Sequence, residues 1–165
     1  MDDTQTTNAV KKILLTLLLT MSAASFAQSV RQLEKACDGG NAVECANLGA
    51  IYYNGTNVIQ NKSIAVKLFQ KACDGNAAMS CVVLGSLYDN GDGVKQDKFR
   101  AVELYQSACN VDFAGGCNFL GLKFLYGEGV QKDKPKALEL FGKACDLKDQ
   151  IGCNNYAKLK NSGVR

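Results

Sequence analysis

The sequence predicts an all-α protein, an α-solenoid built from stacked antiparallel helix pairs. Three observations predict it. Cys37, Cys73, Cys109 and Cys145 follow one another at steps of 36 residues, and Cys45, Cys81, Cys117 and Cys153 keep the same step. Within each row, apolar residues recur twice at the i, i+3, i+4, i+7 spacing of one helical face. Glycine-rich turns fall at matching places between those segments. A period of this size marks a unit that cannot bury its apolar face alone and must stack on its neighbours. With 165 residues, 47% hydrophobic and 21% charged, the chain suits one ordinary domain.

The chain opens on a targeting pattern. Lys11 and Lys12 precede the apolar run Ile13 to Leu19, broken only by Thr16, and small residues lead to Ala27. This predicts a signal peptide over residues 1–27, with Gln28 as the mature N-terminus. The run is well short of the roughly 20 residues that span a bilayer. No cysteine stands at the junction, so no stable membrane anchor is expected after cleavage. Asp2 and Asp3 suit an n-region poorly, and Val10, directly before the lysines, is the expected true start.

The repeats follow. A capping helix is expected over 29–36, where Leu33, Lys35 and Ala36 match Phe69, Lys71 and Ala72. Full rows begin at 37, 73 and 109, and a partial row at 145. Each starts with a turn, as in Asp38-Gly39-Gly40-Asn41 or Asp74-Gly75-Asn76, where glycine takes the left-handed conformation past a helix end. Helix A carries Cys45, Leu48, Gly49 and Tyr52, then Cys81, Leu84, Gly85 and Tyr88, then Cys117, Leu120, Gly121 and Phe124. The repeated glycine is expected to admit the partner helix closely. Val58, Val94 and Val130 follow as a buried plug, and Asn61, Asp97 and Asp133 as helix N-caps. Helix B repeats Ala65, Leu68, Phe69, Ala72 at the same spacing in each row. A last, more polar helix near Gln150 to Lys160 closes the stack.

Eight cysteines in so short a chain mean an oxidising compartment or a metal. Zinc sites on cysteine carry Cys-x2-4-Cys pairs, and every pair here is Cys-x7-Cys, so disulfides are expected and no metal or other cofactor. Two regular schemes exist. Pairing across x27 would strand Cys37 and Cys153. Pairing across x7 uses all eight as Cys37–Cys45, Cys73–Cys81, Cys109–Cys117 and Cys145–Cys153. Geometry favours the second scheme, since one cysteine ends a helix and the other lies about one turn into the next.

These rows resemble the Sel1-like repeat family, relatives of the tetratricopeptide repeat. Leu84-Gly85, Tyr88, Gly91-Asp92-Gly93-Val94, Asp97 and Ala101 to Ala108 carry the resemblance, as do Leu120-Gly121, Gly127-Glu128-Gly129-Val130, Asp133-Lys134 and Lys136-Ala137. Row one departs at Asn57 and Ile59. A cysteine pair in every unit narrows the likeness to the Helicobacter cysteine-rich protein type. The resemblance implies a secreted or periplasmic protein. It also implies an association with β-lactams, because members are described as penicillin-binding proteins or weak β-lactamases.

The residues themselves offer little catalytic chemistry. No serine has a lysine three positions later, and Gly-x-Ser-x-Gly is absent. There is no histidine, the commonest general base and zinc ligand. Asp89 and Asp92 read as a polar turn. A formal charge of +3 without a basic stripe gives no case for nucleic acid. Solenoids bind on a concave surface. Opposite the core face of helix A stand Asn54, Met79, Val83, Asn90, Phe119, Leu122 and Tyr126. They either line a groove for an extended peptide or glycopeptide, or pack on the neighbouring repeat; the asparagines serve equally as helix C-caps. Asn54-Gly55-Thr56 and Asn61-Lys62-Ser63 match the glycosylation pattern, which the bacterial resemblance discounts. The leading expectation is a protein- or peptide-binding module, its ligand a cell-wall peptide or β-lactam among others. A weak β-lactamase and a secreted protein with a host partner are the alternatives.

Overall fold

Short polar side chains fix most of the helix starts. Asn41 Oδ1 accepts from the N–H groups of Val43 and Glu44. Asn61, Asp97 and Asp133 accept from Ile64, Arg100 and Lys136, and Asp149 from Ile151 and Gly152. Each satisfies backbone donors that lack a partner in the first turn. The computed structural model describes residues 28–164; the expected leader over 1–27, with its suggested start at Val10, lies outside the described residues.

Eight helices and no strands occur among the described residues. Helix α1 covers 28–38. It is followed by α2 (Ala42–Asn54), α3 (Lys62–Asp74), α4 (Ala78–Asn90), α5 (Lys98–Asn110), α6 (Ala114–Tyr126), α7 (Lys134–Asp146) and α8 (Gln150–Asn161). The expected A helices are α2, α4, α6 and α8, and the B helices are α3, α5 and α7. Consecutive helices pack as antiparallel neighbours. Helix α4 also touches α6, and α6 touches α8, whereas no contact of comparable extent joins α3 to α5 or α5 to α7. The A helices therefore lie on the inside of the stack.

All four disulfides join residues eight apart, Cys37–Cys45, Cys73–Cys81, Cys109–Cys117 and Cys145–Cys153, with Cα separations from 4.3 to 4.7 Å. No cysteine among the described residues is free. Each bridge staples the end of one B-type helix to the A helix after it. The other hairpins, α2–α3, α4–α5 and α6–α7, have no covalent link, and a different device closes them. The rings of Phe69, Tyr105 and Phe141 pack directly against Gly49, Gly85 and Gly121. A Cβ at Gly121 would stand 2.7 Å from Phe141 Cε1. Gly121→Ala is therefore expected to destabilise by about 1–2 kcal/mol, overpacking outweighing the roughly 1 kcal/mol that alanine gains in helix propensity. Denaturant melts of the two proteins check this, and a more stable variant would refute the lock.

Two local expectations need correction. The left-handed residue after each B-type helix is Gly40, Asn76, Asp112 or Lys148, one register position throughout. Gly75 instead has φ −82°, because the chain turns one residue later. The valines Val58, Val94 and Val130 are half-buried rather than buried, since loop tips cover only one side of them. In row one, Asn57 adopts φ 56°, where Gly93 and Gly129 each adopt φ 72°. Asparagine tolerates that region better than other side chains, so the departure from glycine leaves the turn intact.

Candidate functional site

The inner face is made by the outward side of the A helices, so its chemistry is set by a few columns of residues. Met79 and Tyr126 are each 65% exposed there and Phe119 38%. Val83 and Leu122 are half-buried, which is the middle course between open groove and full burial. Asn54, Asn90 and Tyr126 end α2, α4 and α6. Asn90 Nδ2 donates to the Ser86 carbonyl at 2.9 Å, so this asparagine does serve its own helix end.

Two clefts open between successive A helices. In the first, of about 230 Å³, Ala50, Tyr53 and Asn54 of α2 face Val83, Ser86 and Leu87 of α4 across the edge of Phe69. In the second, of about 220 Å³, Leu122, Leu125 and Tyr126 of α6 face Asn155, Lys158 and Leu159 of α8 across Phe141, with Lys134 and Ser162 at the rim. Every lining residue of the first has its counterpart in the second, two repeats later. Of the seven expected groove residues, Asn54 and Val83 line the first cleft, Leu122 and Tyr126 the second. Met79, Asn90 and Phe119 line neither.

The seam between these two clefts is filled. Phe119 stacks on Tyr105, with centroids 5.2 Å apart and planes 15° off parallel. Beside them stands Lys123, only 5% exposed. Its column reads Ile51, Leu87, Lys123, Leu159, so an ammonium occupies an otherwise apolar place. It is held by the Asp89 carboxylate of α4 and by Glu128 Oε2 at 2.9 Å. Asp89 lies within α4 and not in the turn; its other oxygen, Oδ1, is buried without a hydrogen bond. Burial first, and the Asp89 charge second, keep the Tyr105 hydroxyl protonated far above its usual range. Periodicity alone missed Lys123, although the break in its column was the available signal.

A ladder of ion pairs ties α3 and α5 each to the loop after the next A helix. Lys62 meets Asp92 at 2.8 Å, where Tyr53 Oη also donates at 2.7 Å. One repeat on, Lys98 meets Glu128 at 2.8 Å. Lys134 is the next rung, but its expected partner position is Val164, which packs into the apolar cluster around Phe141 and Leu159.

The Sel1 repeat model matches residues 45–76, 78–112 and 114–149. The chain belongs to the Sel1 repeat family. Solved structures agree. A protective antigen of uropathogenic Escherichia coli with an SLR fold shares 28% identity over 74% of this chain, with a TM-score of 0.71. The chain spans only 26% of that antigen's length. A Sel1 repeat protein from Oxalobacter formigenes shares 25% identity over 79% of this chain and 98% of its own, with a TM-score of 0.73. Cysteine rich protein B of Helicobacter pylori shares 31% identity over 80% of this chain and 95% of its own, with a TM-score of 0.63. No curated protein matches the chain.

The loops of the Sel1 units carry the acid-sensitive part of the site. Hydrogen bonds from Lys98 and Lys123 hold the Glu128 carboxyl down to about 2, against an ordinary 4.5. Its stabilising contribution is complete above 4.5 and is lost as the pH falls through about 2. Since 39% of the side chain is exposed, solvent screens the effect and keeps it modest. Between about pH 5 and pH 2.5 the melting temperature is expected to fall more for the native protein than for Glu128→Gln. Equal falls would show that the bridge carries no pH-dependent stability.

Proposed function

We propose that this Sel1 repeat protein is a binding module of a secreted or periplasmic compartment, holding an extended peptide along the inner face of its stack. The observation that carries the reading is the pair of equivalent open clefts, each lined by apolar side chains and edged by polar ones. Ligand clefts commonly combine an apolar floor with a few placed polar groups. Phe119, between the clefts, offers a flat apolar surface for the stretch that joins them, and Met79 and Asn90 flank the path. Four disulfide bridges suit an oxidising compartment. Repeats of this class, Sel1 and tetratricopeptide-like, generally serve protein interactions.

A photo-crosslinking amino acid placed at Met79, Phe119 or Tyr126 tests the reading against one placed at the outer-face Lys67. Random extended peptides are expected to crosslink from the inner positions. Equal labelling from Lys67, or none from within, would sink it. The family resemblance also implies β-lactam binding or slow hydrolysis. On the inner face, Ser86 Oγ meets the Asn90 amide and the protonated Tyr105 phenol, neither of which can take its proton. Nitrocefin is accordingly expected to turn over no faster than in buffer. Saturable turnover would transfer the proposal to the hydrolase reading.

A further inference from the structure

We propose that the cleft between α6 and α8 is a carboxylate site, taking the free C-terminus of a peptide whose last side chain is apolar. The inference rests on the peptide-binding reading and gives that peptide a direction. The two clefts share a shape but not a charge. The first is lined by neutral residues alone, its nearby Lys62 being neutralised by Asp92. The second holds Lys134 and Lys158 and no acid. Lys134 has lost its rung partner to Val164, and Lys158 stands where the first cleft has Ser86. Neither makes an ion pair among the described residues, whereas Lys62 and Lys98 both do.

The apolar part of the second cleft, with Leu122 and Leu159 over Phe141, lies beside those two cations. An internal residue of a peptide presents either an apolar side chain or a carboxylate. A C-terminal residue presents both from one Cα, and so meets floor and rim together with a single residue. Asn155 supplies the third contact. Its Nδ2 donates to Asn118 Oδ1 at 2.8 Å, and Asn118 is 5% exposed, so the amide is held from beneath. That leaves Asn155 Oδ1 to accept a peptide N–H. At roughly 10 Å per packed helix layer the clefts lie about 20 Å apart, which about six extended residues span. The peptide therefore runs from the neutral cleft to the cationic one, with an upstream apolar side chain in the first.

The test uses two pools of N-acetylated octapeptides with leucine last and the other positions randomised. One pool ends in a free carboxylate and the other in an amide. Each is titrated into the isotope-labelled, disulfide-bonded protein while backbone amide resonances are followed. The acid pool is expected to shift Asn155, Lys158 and Ser162 with an affinity about tenfold above the amide pool. That preference is expected to vanish in Lys134→Met/Lys158→Met, whose exposed substitutions leave the core untouched. Equal shifts by both pools at this cleft would overturn the carboxylate site and leave peptide binding standing. An acid preference that survives the double substitution would overturn the assignment to these lysines. No shift anywhere on the inner face would remove both proposals.

Discussion

Reduction of the four disulfides is expected to unfold the protein at temperatures where the oxidised form is stable. Each bridge closes a loop between residues eight apart. In the chain-entropy account a loop of this size is worth roughly 2.5 kcal/mol, so four give on the order of 10 kcal/mol if additive. That matches the whole net stability of a typical domain. The position of the bridges sharpens the expectation. They close every B-to-A junction, whereas A-to-B hairpins rest on an aromatic ring over a glycine. Reduction therefore loosens the stack between units while leaving helix pairs such as α4–α5 with their apolar contacts. Thermal melts with and without reductant measure the effect, and an unchanged midpoint would refute it. Removing one bridge, as in Cys109→Ala/Cys117→Ala, is expected to cost about a quarter of the total, roughly 2.5 kcal/mol.

The second large effect is expected at Lys123. Replacing it with leucine restores the apolar column of Leu87 and Leu159, and a reading of the column alone would forecast a more stable protein. The expected result is the opposite, a loss of roughly 3 kcal/mol, because Asp89 is left charged, largely buried and unpaired. Asp89 already has one oxygen without a hydrogen bond, and Lys98, the other cation that feels its charge, is engaged with Glu128 at 2.8 Å. The counterpart of Asp89 one repeat on is Leu125, which suggests the compensating change. Asp89→Leu/Lys123→Leu is expected to return to within about 1 kcal/mol of the native protein or to exceed it, since a buried ion pair rarely outperforms well-packed apolar residues. Denaturant titration of both single variants and the double variant gives the coupling directly. A benign Lys123→Leu would mean that Asp89 reaches water, and the account of the filled seam would fail.

The helices, their caps and the bridges were legible because each depends on residues close in sequence. Asn61, Asp97 and Asp133 cap the helix that starts beside them. Cys109 and Cys117 flank one short turn. Gly85 and Tyr105 are further apart, yet they recur in every row as Gly49 with Phe69 and Gly121 with Phe141, so the period announces the contact. The groove residues were legible only as a column. Val83 and Phe119 occupy equivalent places, but one lines a cleft and the other lies across Tyr105 between clefts. The left-handed position after α3 was misplaced by one residue because glycine at 75 and asparagine at 76 both accept it.

The sequence by itself determined the period, the stack of paired helices and the pairing of every cysteine, since these follow from spacing within one unit and its immediate neighbour. Only the tertiary structure decided which interfaces along the inner face stand open. That outcome turns on volume and charge meeting across repeats. Lys123 reaches Asp89 from the next A helix, Phe119 covers Tyr105, and the space between α4 and α6 is used up. Where Val83 and Ala50, or Asn155 and Leu122, meet instead, the same backbone leaves room. A regular period makes these interfaces alike in their main chain, and it is the unlike side chains packed between them that give each one its character.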